Sequence, residues 1–233
     1  MKKTLLIAAA ALAASVISSQ AQVYSQNIVG YVNKVFVGSQ YNALANPFNA
    51  GVTNGANEVF PGGLPDGTQL FQWNGTGYDI SGYDSSIGVN PANWYDGGFS
   101  VVAATPVIKP GQGFFLLPPS NFTNTYVGTV AIATGATGTN SATANQYNML
   151  GSLLPVAGSV SNAIVNFFPP DGTQLFQWTG NGYLVSGYDA SIGASAANWY
   201  DGGFSVVAPV PTITVGEGYF VLPPTTYKWV QGL

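Results

Sequence analysis

Hydrophobic and polar residues after residue 22 alternate over short stretches, which is the pattern of β-strands. In the segment 69–73, alternation puts Phe71 and Trp73 on one face, which we expect to be the core face. The segment 114–117 is apolar throughout, has the length of a strand and ends at two prolines. No stretch after residue 22 combines a helical apolar period with capping residues. The pattern predicts an all-β protein.

Turn sequences separate these stretches at short intervals. Pro65, Asp66 and Gly67 form one of them, in which proline presets the first central residue and glycine accepts a positive φ. The segment 74–77, Asn-Gly-Thr-Gly, indicates a hairpin before the next strand. Turn signals about every 8–12 residues are typical of β-sandwiches and β-barrels, and the pattern leaves both open.

One unit of the sequence occurs twice. Residues 66–103 align without gaps onto 171–208, with 30 of 38 positions identical. The intervening tract is rich in Ala, Thr, Gly and Ser, a composition typical of a flexible linker. We therefore expect two tandem β-sandwich or β-barrel units of about 90 residues joined by that linker. The predicted divisions are a signal peptide (1–21), an N-terminal strand segment (22–40), the first unit (41–130), the linker (131–145) and the second unit (146–233).

A short sequence motif recurs before, between and after these units. The segment 28–32, Ile-Val-Gly-Tyr-Val, resembles 126–130 and, less closely, 229–233. The likeness is either coincidence among short Val/Gly strings or a set of strands that bracket the units. It suggests that 28–32 of one chain completes the sheet of another. The candidate self-association residues are Ile28, Val29, Gly30, Tyr31 and Val32.

The N-terminus has the features of a secretory signal peptide. Lys2 and Lys3 precede an apolar run over 5–17, and small residues at Ser19 and Ala21 fit a cleavage site. The run is shorter than the roughly 20 residues that a membrane-spanning helix needs. A buried N-terminal helix fits poorly because the run has no polar face. We expect a secreted bacterial protein, extracellular or at the cell surface, with no transmembrane segment after processing.

Composition removes much catalytic chemistry. The chain has no His, no Cys and no Arg, and only 6% of its residues are charged. Catalytic triads, thiolates, disulfides, zinc knuckles and bidentate arginine clamps are therefore excluded. After signal removal three lysines oppose nine carboxylates, a net charge of −6 that disfavours nucleic-acid binding. No cofactor or metal is expected, because the regular spacing of a calcium loop is also missing.

Several motifs resemble those of a protein family. They lie at 28–32, 41–47, 65–73 and 111–115, and the last recurs at 216–220. Together they resemble uncharacterised secreted β-repeat proteins of Verrucomicrobia-like bacteria. The resemblance covers nearly all of the chain after the signal peptide. It implies export and a β-rich module, without an assigned activity or catalytic residue.

An aromatic loop occurs once in each unit, at 94–99 and 199–204. A Trp beside a Tyr on a glycine-flanked loop can form a flat platform for a sugar ring, with a carboxylate nearby to accept hydroxyl hydrogen bonds. The alternative is that these aromatic residues form the core, as large apolar side chains do in small β-units. The candidate ligand-binding residues are Trp94, Tyr95, Asp96, Trp199, Tyr200 and Asp201.

The repeated carboxylates offer a weaker catalytic possibility. Asp66 and Asp96, with their counterparts in the second unit, lie in turn sequences where the side chain bonds its own backbone. Only Asp84 and Asp189 lack an obvious local task. A carboxylate pair could hydrolyse a glycan, but a hydrolase places its site once rather than in both repeats.

Two functions from different classes remain open. The first is a non-catalytic structural or cell-surface module that self-associates or adheres to the envelope or matrix, since low charge favours association. The alternative is an extracellular carbohydrate-binding protein, and a carboxylate-dependent glycan hydrolase is less favoured. Burial of Trp94 and Trp199 would support the first, and exposure would support the second.

Overall fold

The structure, a computed structural model, describes residues 28–233, so the expected signal peptide at 1–21 lies outside the described residues. The all-β prediction is confirmed, since strands account for nearly all of the regular structure. The exception is α1 (Ala56–Val59), a single helical turn whose backbone at Gly55 is capped by the Glu58 side chain. None of the described helical structure is long and apolar enough to cross a membrane.

The first repeat contains a five-stranded antiparallel sheet and a two-stranded ribbon. Its strands are β1 (Val29–Phe36), β2 (Asn42–Ala45), β3 (Thr68–Trp73), β4 (Tyr78–Tyr83), β5 (Trp94–Asp96), β6 (Gly113–Leu117) and β7 (Phe122–Thr129). The sheet has the order β2-β6-β3-β4-β5, and the ribbon pairs β1 with β7 so that Gly30 lies opposite Gly128.

The second repeat has the same arrangement. Its strands are β8 (Thr137–Ala142), β9 (Asn148–Leu150), β10 (Gly158–Ser159), β11 (Thr173–Trp178), β12 (Tyr183–Tyr188), β13 (Trp199–Asp201), β14 (Thr212–Ile213), β15 (Tyr219–Leu222) and β16 (Tyr227–Gly232). Its sheet has the order β9-β15-β11-β12-β13, its ribbon pairs β8 with β16, and a short pair is formed by β10 and β14.

The turn chemistry in the sequence shapes the central hairpins. Gly67 and Gly172 have φ of +88° and +82°, values that suit glycine after the Pro-Asp pair. The side chain of Asn74 accepts hydrogen bonds from the N–H groups of Thr76 and Gly77. This closes the β3–β4 hairpin that the Asn-Gly-Thr-Gly sequence predicts.

Each sheet packs one face on the ribbon of its own repeat. In the first repeat, Leu70, Phe114 and Leu116 from the sheet are buried together with Phe36 and Tyr126 from the ribbon. The second repeat builds an equivalent core around Leu175, Val221 and Trp229. Alternation along β3 puts Phe71 and Trp73 on one face, as the sequence predicts, but this face points away from the core of the repeat, so the expected core placement is corrected.

The second face of each sheet meets the other repeat. Phe71, Phe115, Met149 and Phe220 form a separate buried cluster there. Two of the backbone hydrogen bonds that cross the boundary are equivalent: Ala45 N–H donates to Gly216 oxygen (3.0 Å), and Gly151 N–H donates to Gly111 oxygen (2.9 Å). These bonds join equivalent positions in opposite senses, so the repeats meet as the subunits of a twofold-symmetric dimer do.

The expected linker at 131–145 is corrected over part of its length. Strand β8 occupies Thr137–Ala142 and pairs along its whole length with β16. Its small polar residues suit a ribbon that exposes one face, and the hydrogen bonds that define it come from the distant β16. The boundary after residue 40 also differs, because β1 pairs with β7 and so belongs to the first repeat.

Candidate functional site

The predicted aromatic platforms lie in the core. Trp94 and Trp199 are both 0% exposed, and Tyr95 and Tyr200 are both 1% exposed. The indole N–H of Trp94 donates to Asn57 Oδ1 (2.7 Å), and that of Trp199 donates to Ser161 Oγ (3.0 Å). Pairing of β5 with β4 and of β13 with β12 turns these rings toward the core of each repeat. They cannot stack on a sugar, so the structure shows the core alternative for these loops and excludes the platform.

The rest of each aromatic loop fixes local backbone. Asp96 Oδ1 accepts hydrogen bonds from the N–H groups of Ser100 (2.7 Å) and Val101 (2.9 Å). These bonds hold the pKa of Asp96 below its usual range, and equivalent bonds lower the pKa of Asp201. Phe99 has a positive φ of 59°, and its ring covers Gly82 where a Cβ would collide. The motif therefore specifies a loop conformation.

The other carboxylates are also engaged in local structure. Asp84 Oδ1 accepts from the N–H (2.8 Å) and hydroxyl (2.6 Å) of Ser86, and Asp189 binds Ser191 in the same way. Asp66 binds Ser85, and Asp171 binds the N–H of Ala190. In the described part of the chain no three His, Cys, Asp or Glu residues lie close enough together to hold a metal ion.

The self-association segment is paired within its own chain. Residues 29–32 form the start of β1 and lie opposite Thr129, Gly128, Val127 and Tyr126 of β7. The N–H of Val130 donates to the oxygen of Ile28 (2.8 Å). The resemblance between 28–32 and 126–130 thus reflects two partner strands. One edge of the segment is occupied, so it is not a free strand that inserts into another sheet.

An aromatic cleft lies where the two sheets meet, beside the cluster that joins the repeats. It consists of two adjoining cavities of about 290 and 260 Å³. Tyr78 and Tyr183 line both. The first cavity is also lined by Tyr41, Phe71, Ile80, Phe115 and Trp178, and the second by Trp73, Tyr147, Phe176 and Phe220. Apart from Ile80, every side chain that lines these cavities is aromatic.

Reciprocal contacts between the repeats build the cleft. The indole N–H of Trp73 donates to Tyr147 oxygen (2.6 Å), and that of Trp178 donates to Tyr41 oxygen (2.8 Å). The ring of Trp73 lies 5.5 Å from Phe220, edge to face, and the equivalent pair Phe115–Trp178 is 5.7 Å apart. Both repeats contribute side chains to each cavity, so neither repeat forms the cleft alone.

Four tyrosines form the open side of the cleft. Tyr41, Tyr78, Tyr147 and Tyr183 are between 38% and 45% exposed. Burial of part of the ring, with Tyr183 and Tyr41 nearby, raises the pKa of Tyr78 to about 12, and burial also raises the pKa of Tyr183. Tyr78 and Tyr183 therefore keep their protons at neutral pH, and each offers a hydrogen-bond donor beside an apolar ring. The lining contains no charged side chain.

The strand pattern predicts a core position for Trp73, whereas Trp73 and its counterpart Trp178 are only partly buried at the cleft. The sequence does indicate that each sheet packs against a partner on its second face as well. Segment 114–117 is apolar at every position, and a sheet that is apolar on both faces needs a partner on each. What the strand pattern does not specify is that the partner is the other repeat.

No family model, no curated protein and no solved structure matches this chain.

Proposed function

We propose that this chain is an exported, non-catalytic adhesion module that binds a neutral polysaccharide in the aromatic cleft between its repeats. The observation that carries the proposal is the cleft itself: two equivalent aromatic cavities, open to solvent, that share Tyr78 and Tyr183. The sequence suggested glycan binding through different residues, and the cleft replaces those buried loops as the binding surface.

The chemistry of the lining suits sugar rings. The C–H face of a pyranose packs on an aromatic ring, while tyrosine hydroxyls exchange hydrogen bonds with sugar hydroxyls at the rim. A charged ligand would lose hydration without gaining an opposite charge in this lining. A polysaccharide offers the same ring at regular intervals, and two adjoining equivalent cavities can hold successive rings of one chain.

The carboxylates support a role in binding without catalysis. Each of the nine Asp and Glu residues accepts at least one hydrogen bond from a nearby backbone or side-chain group. None of them lines the two aromatic cavities. Hydrolysis of a glycosidic bond requires a carboxyl group at the bound sugar, as acid and as base or nucleophile.

Export is part of the proposal and rests on the N-terminal sequence. The basic start, the apolar run and the small residues at Ser19 and Ala21 fit a signal peptide. The absence of Cys agrees with a fold that depends on its core and not on disulfides. Outside the cell, polysaccharides of envelopes and matrices are the ligands that such a cleft would meet.

The test is retention of the protein on insoluble neutral glycans, with cellulose, chitin, xylan and starch granules as probes. We expect the wild type to bind at least one of them. Tyr78→Ala with Tyr183→Ala should weaken that binding by about 5- to 150-fold, because each of the two lost ring contacts is worth about 0.5–1.5 kcal/mol. Tyr78→Phe with Tyr183→Phe keeps the rings and should lose less.

The matched control is Phe168→Ala, which removes an exposed aromatic ring outside the cleft. It should bind as the wild type does. Melting temperatures of all variants separate loss of binding from loss of fold. The proposal is wrong if the wild type binds none of the four glycans, or if the double alanine variant folds and binds unchanged.

A further inference from the structure

Strand β1 has one edge without a partner in the described chain. In an antiparallel ribbon the backbone groups of every second residue bond to the partner strand. Because Val130 N–H donates to Ile28 oxygen, the backbone groups that bond to β7 are those of Gly30, Val32, Lys34 and Phe36. The N–H and C=O groups at 29, 31, 33 and 35 point the other way. No hydrogen bond described for residues 28–233 uses them. An edge of this length is a template for pairing with another strand.

The side chains on the outer face of β1 are apolar or uncharged. Val29, Tyr31 and Val35 are 67%, 74% and 70% exposed. Asn33 lies between them and accepts a hydrogen bond from the Thr125 hydroxyl (2.6 Å). The strand's one charged residue, Lys34, points to the other face and donates to Val215 oxygen across the repeat boundary (3.3 Å). The chain is acidic overall, yet this strip carries no charge.

The equivalent ribbon of the second repeat is different. Thr137, Thr139 and Ser141 of β8 stand where β1 has Tyr31, Asn33 and Val35. The strand is shorter, and its partner β16 exposes Lys228 on the same face. Short polar strands and exposed lysines are the devices by which proteins prevent edge pairing. The two repeats share a fold, and only the second carries this protection.

We propose that the free edge of β1 pairs antiparallel with the same edge of a second copy, giving a twofold-symmetric dimer. A twofold axis at residue 32 sets Val29 opposite Val35 of the second copy, and Tyr31 opposite its Asn33. Four residue pairs then exchange ladder hydrogen bonds, and β7-β1-β1-β7 forms one four-stranded sheet. No like charges face each other, so the edge complements itself.

This inference goes beyond glycan binding and does not depend on it. A second copy of the chain is the partner favoured at this edge, because under a twofold axis the side chains and the hydrogen-bond register of the two β1 strands match each other. It also replaces the inserted-strand hypothesis from the sequence. In the inserted-strand hypothesis, residues 28–32 leave their own chain. In the edge-paired dimer they stay paired with β7 and bind the second copy through the other edge of β1.

The test is the mass of the chain from residue 22 to 233 in solution, measured by sedimentation equilibrium up to ~100 µM. We expect a dimer whose dissociation constant rises at least ~10-fold on Asn33→Lys, which brings charges together at the axis. Tyr31→Thr with Val35→Ser introduces the residues that the second repeat has at these positions and should also weaken the dimer. Val230→Thr, which places the first repeat's residue at the equivalent position of β16, is the control and should not.

Hydrogen exchange identifies the surface. Amides of Tyr31, Asn33 and Val35 should exchange slowly in the dimer and fast in the Asn33→Lys monomer, while those of Val32 and Lys34 stay slow in both. A wild-type monomer at the highest concentration would overturn the proposal, as would a dimer that Asn33→Lys leaves intact. Protection of the alternate amides in the monomer would also overturn it, since residues 22–27 would then cover the edge.

Discussion

Tryptophan performs two different tasks at equivalent places in the two repeats. Trp94 and Trp199 fill the cores, with each indole N–H satisfied by a polar side chain. Trp73 and Trp178 instead reach across the boundary and bond the backbone of the other repeat. All four lie in strands near turns, so their sequence contexts look alike. The difference depends on which face of the sheet meets a ribbon and which meets the other repeat.

Replacement of a core tryptophan should cost stability and not binding alone. Trp94→Ala removes a fully buried side chain and leaves a cavity, so we expect the free energy of unfolding to fall by about 3–5 kcal/mol. Urea denaturation measures the loss, and Trp199→Ala should behave in the same way. A loss below ~1 kcal/mol would mean that the ring is not part of the core.

At the scale of strands, β2 and β9 meet at a point where equivalent residues must differ. Ala45 of β2 occupies the position that Gly151 has after β9, and the two residues face each other across the repeat boundary. A Cβ on Gly151 would overlap the Cβ of Ala45. Two alanines do not fit there, so one repeat carries alanine and the other glycine.

A double-mutant cycle tests this packing. Gly151→Ala should destabilise the protein by about 1–3 kcal/mol through overpacking. Adding Ala45→Gly exchanges the residues between the repeats and should restore most of that loss, because the backbone contacts are equivalent on both sides. Chemical denaturation of the four proteins gives the coupling energy. Additive effects would mean that the two positions do not meet.

The strands of the central sheets were largely predictable, and the ribbon of the second repeat was not. Leu70, Phe71 and Trp73 lie in a strand with clear alternation between turn residues, so local sequence specifies it. Thr137–Ala142 has the composition of a linker and becomes a strand through its pairing with Tyr227–Gly232. The cleft was missed for a related reason: its walls come from equivalent segments of the two repeats, which lie about 105 residues apart in the sequence.

At the scale of the whole molecule, no side chain titrates near neutral pH, since the chain has no His and no Cys. Hydrogen bonds from backbone and side-chain groups lower the pKa of Glu58, Asp84, Asp96 and Asp201. Their contribution is complete above the unfolded pKa of about 4 and is lost as the pH falls through the lower folded values. Burial raises the pKa of Tyr78 and Tyr227 to about 12. That contribution is complete below about pH 10 and is lost as the pH rises toward 12.

We therefore expect the melting temperature to be level between about pH 5 and 9 and to fall on both sides. Calorimetry across this range checks the profile. Asp96→Asn with Asp201→Asn should flatten the acid side, because two carboxylates with lowered pKa are gone. A step in the melting temperature between about pH 6 and 7 would contradict this expectation, because no side chain of the protein should titrate there.

The difference between the two ribbons also determines how far assembly can proceed. If both edges were open, each molecule could join two neighbours, and head-to-tail pairing would extend into filaments of unlimited length. Because the edge of β1 is open and the equivalent edge of β8 is protected, pairing between these two kinds of edge stops once two copies of β1 have met. Duplication within a single chain allows this asymmetry. Two separate identical subunits would expose either two adhesive edges or none.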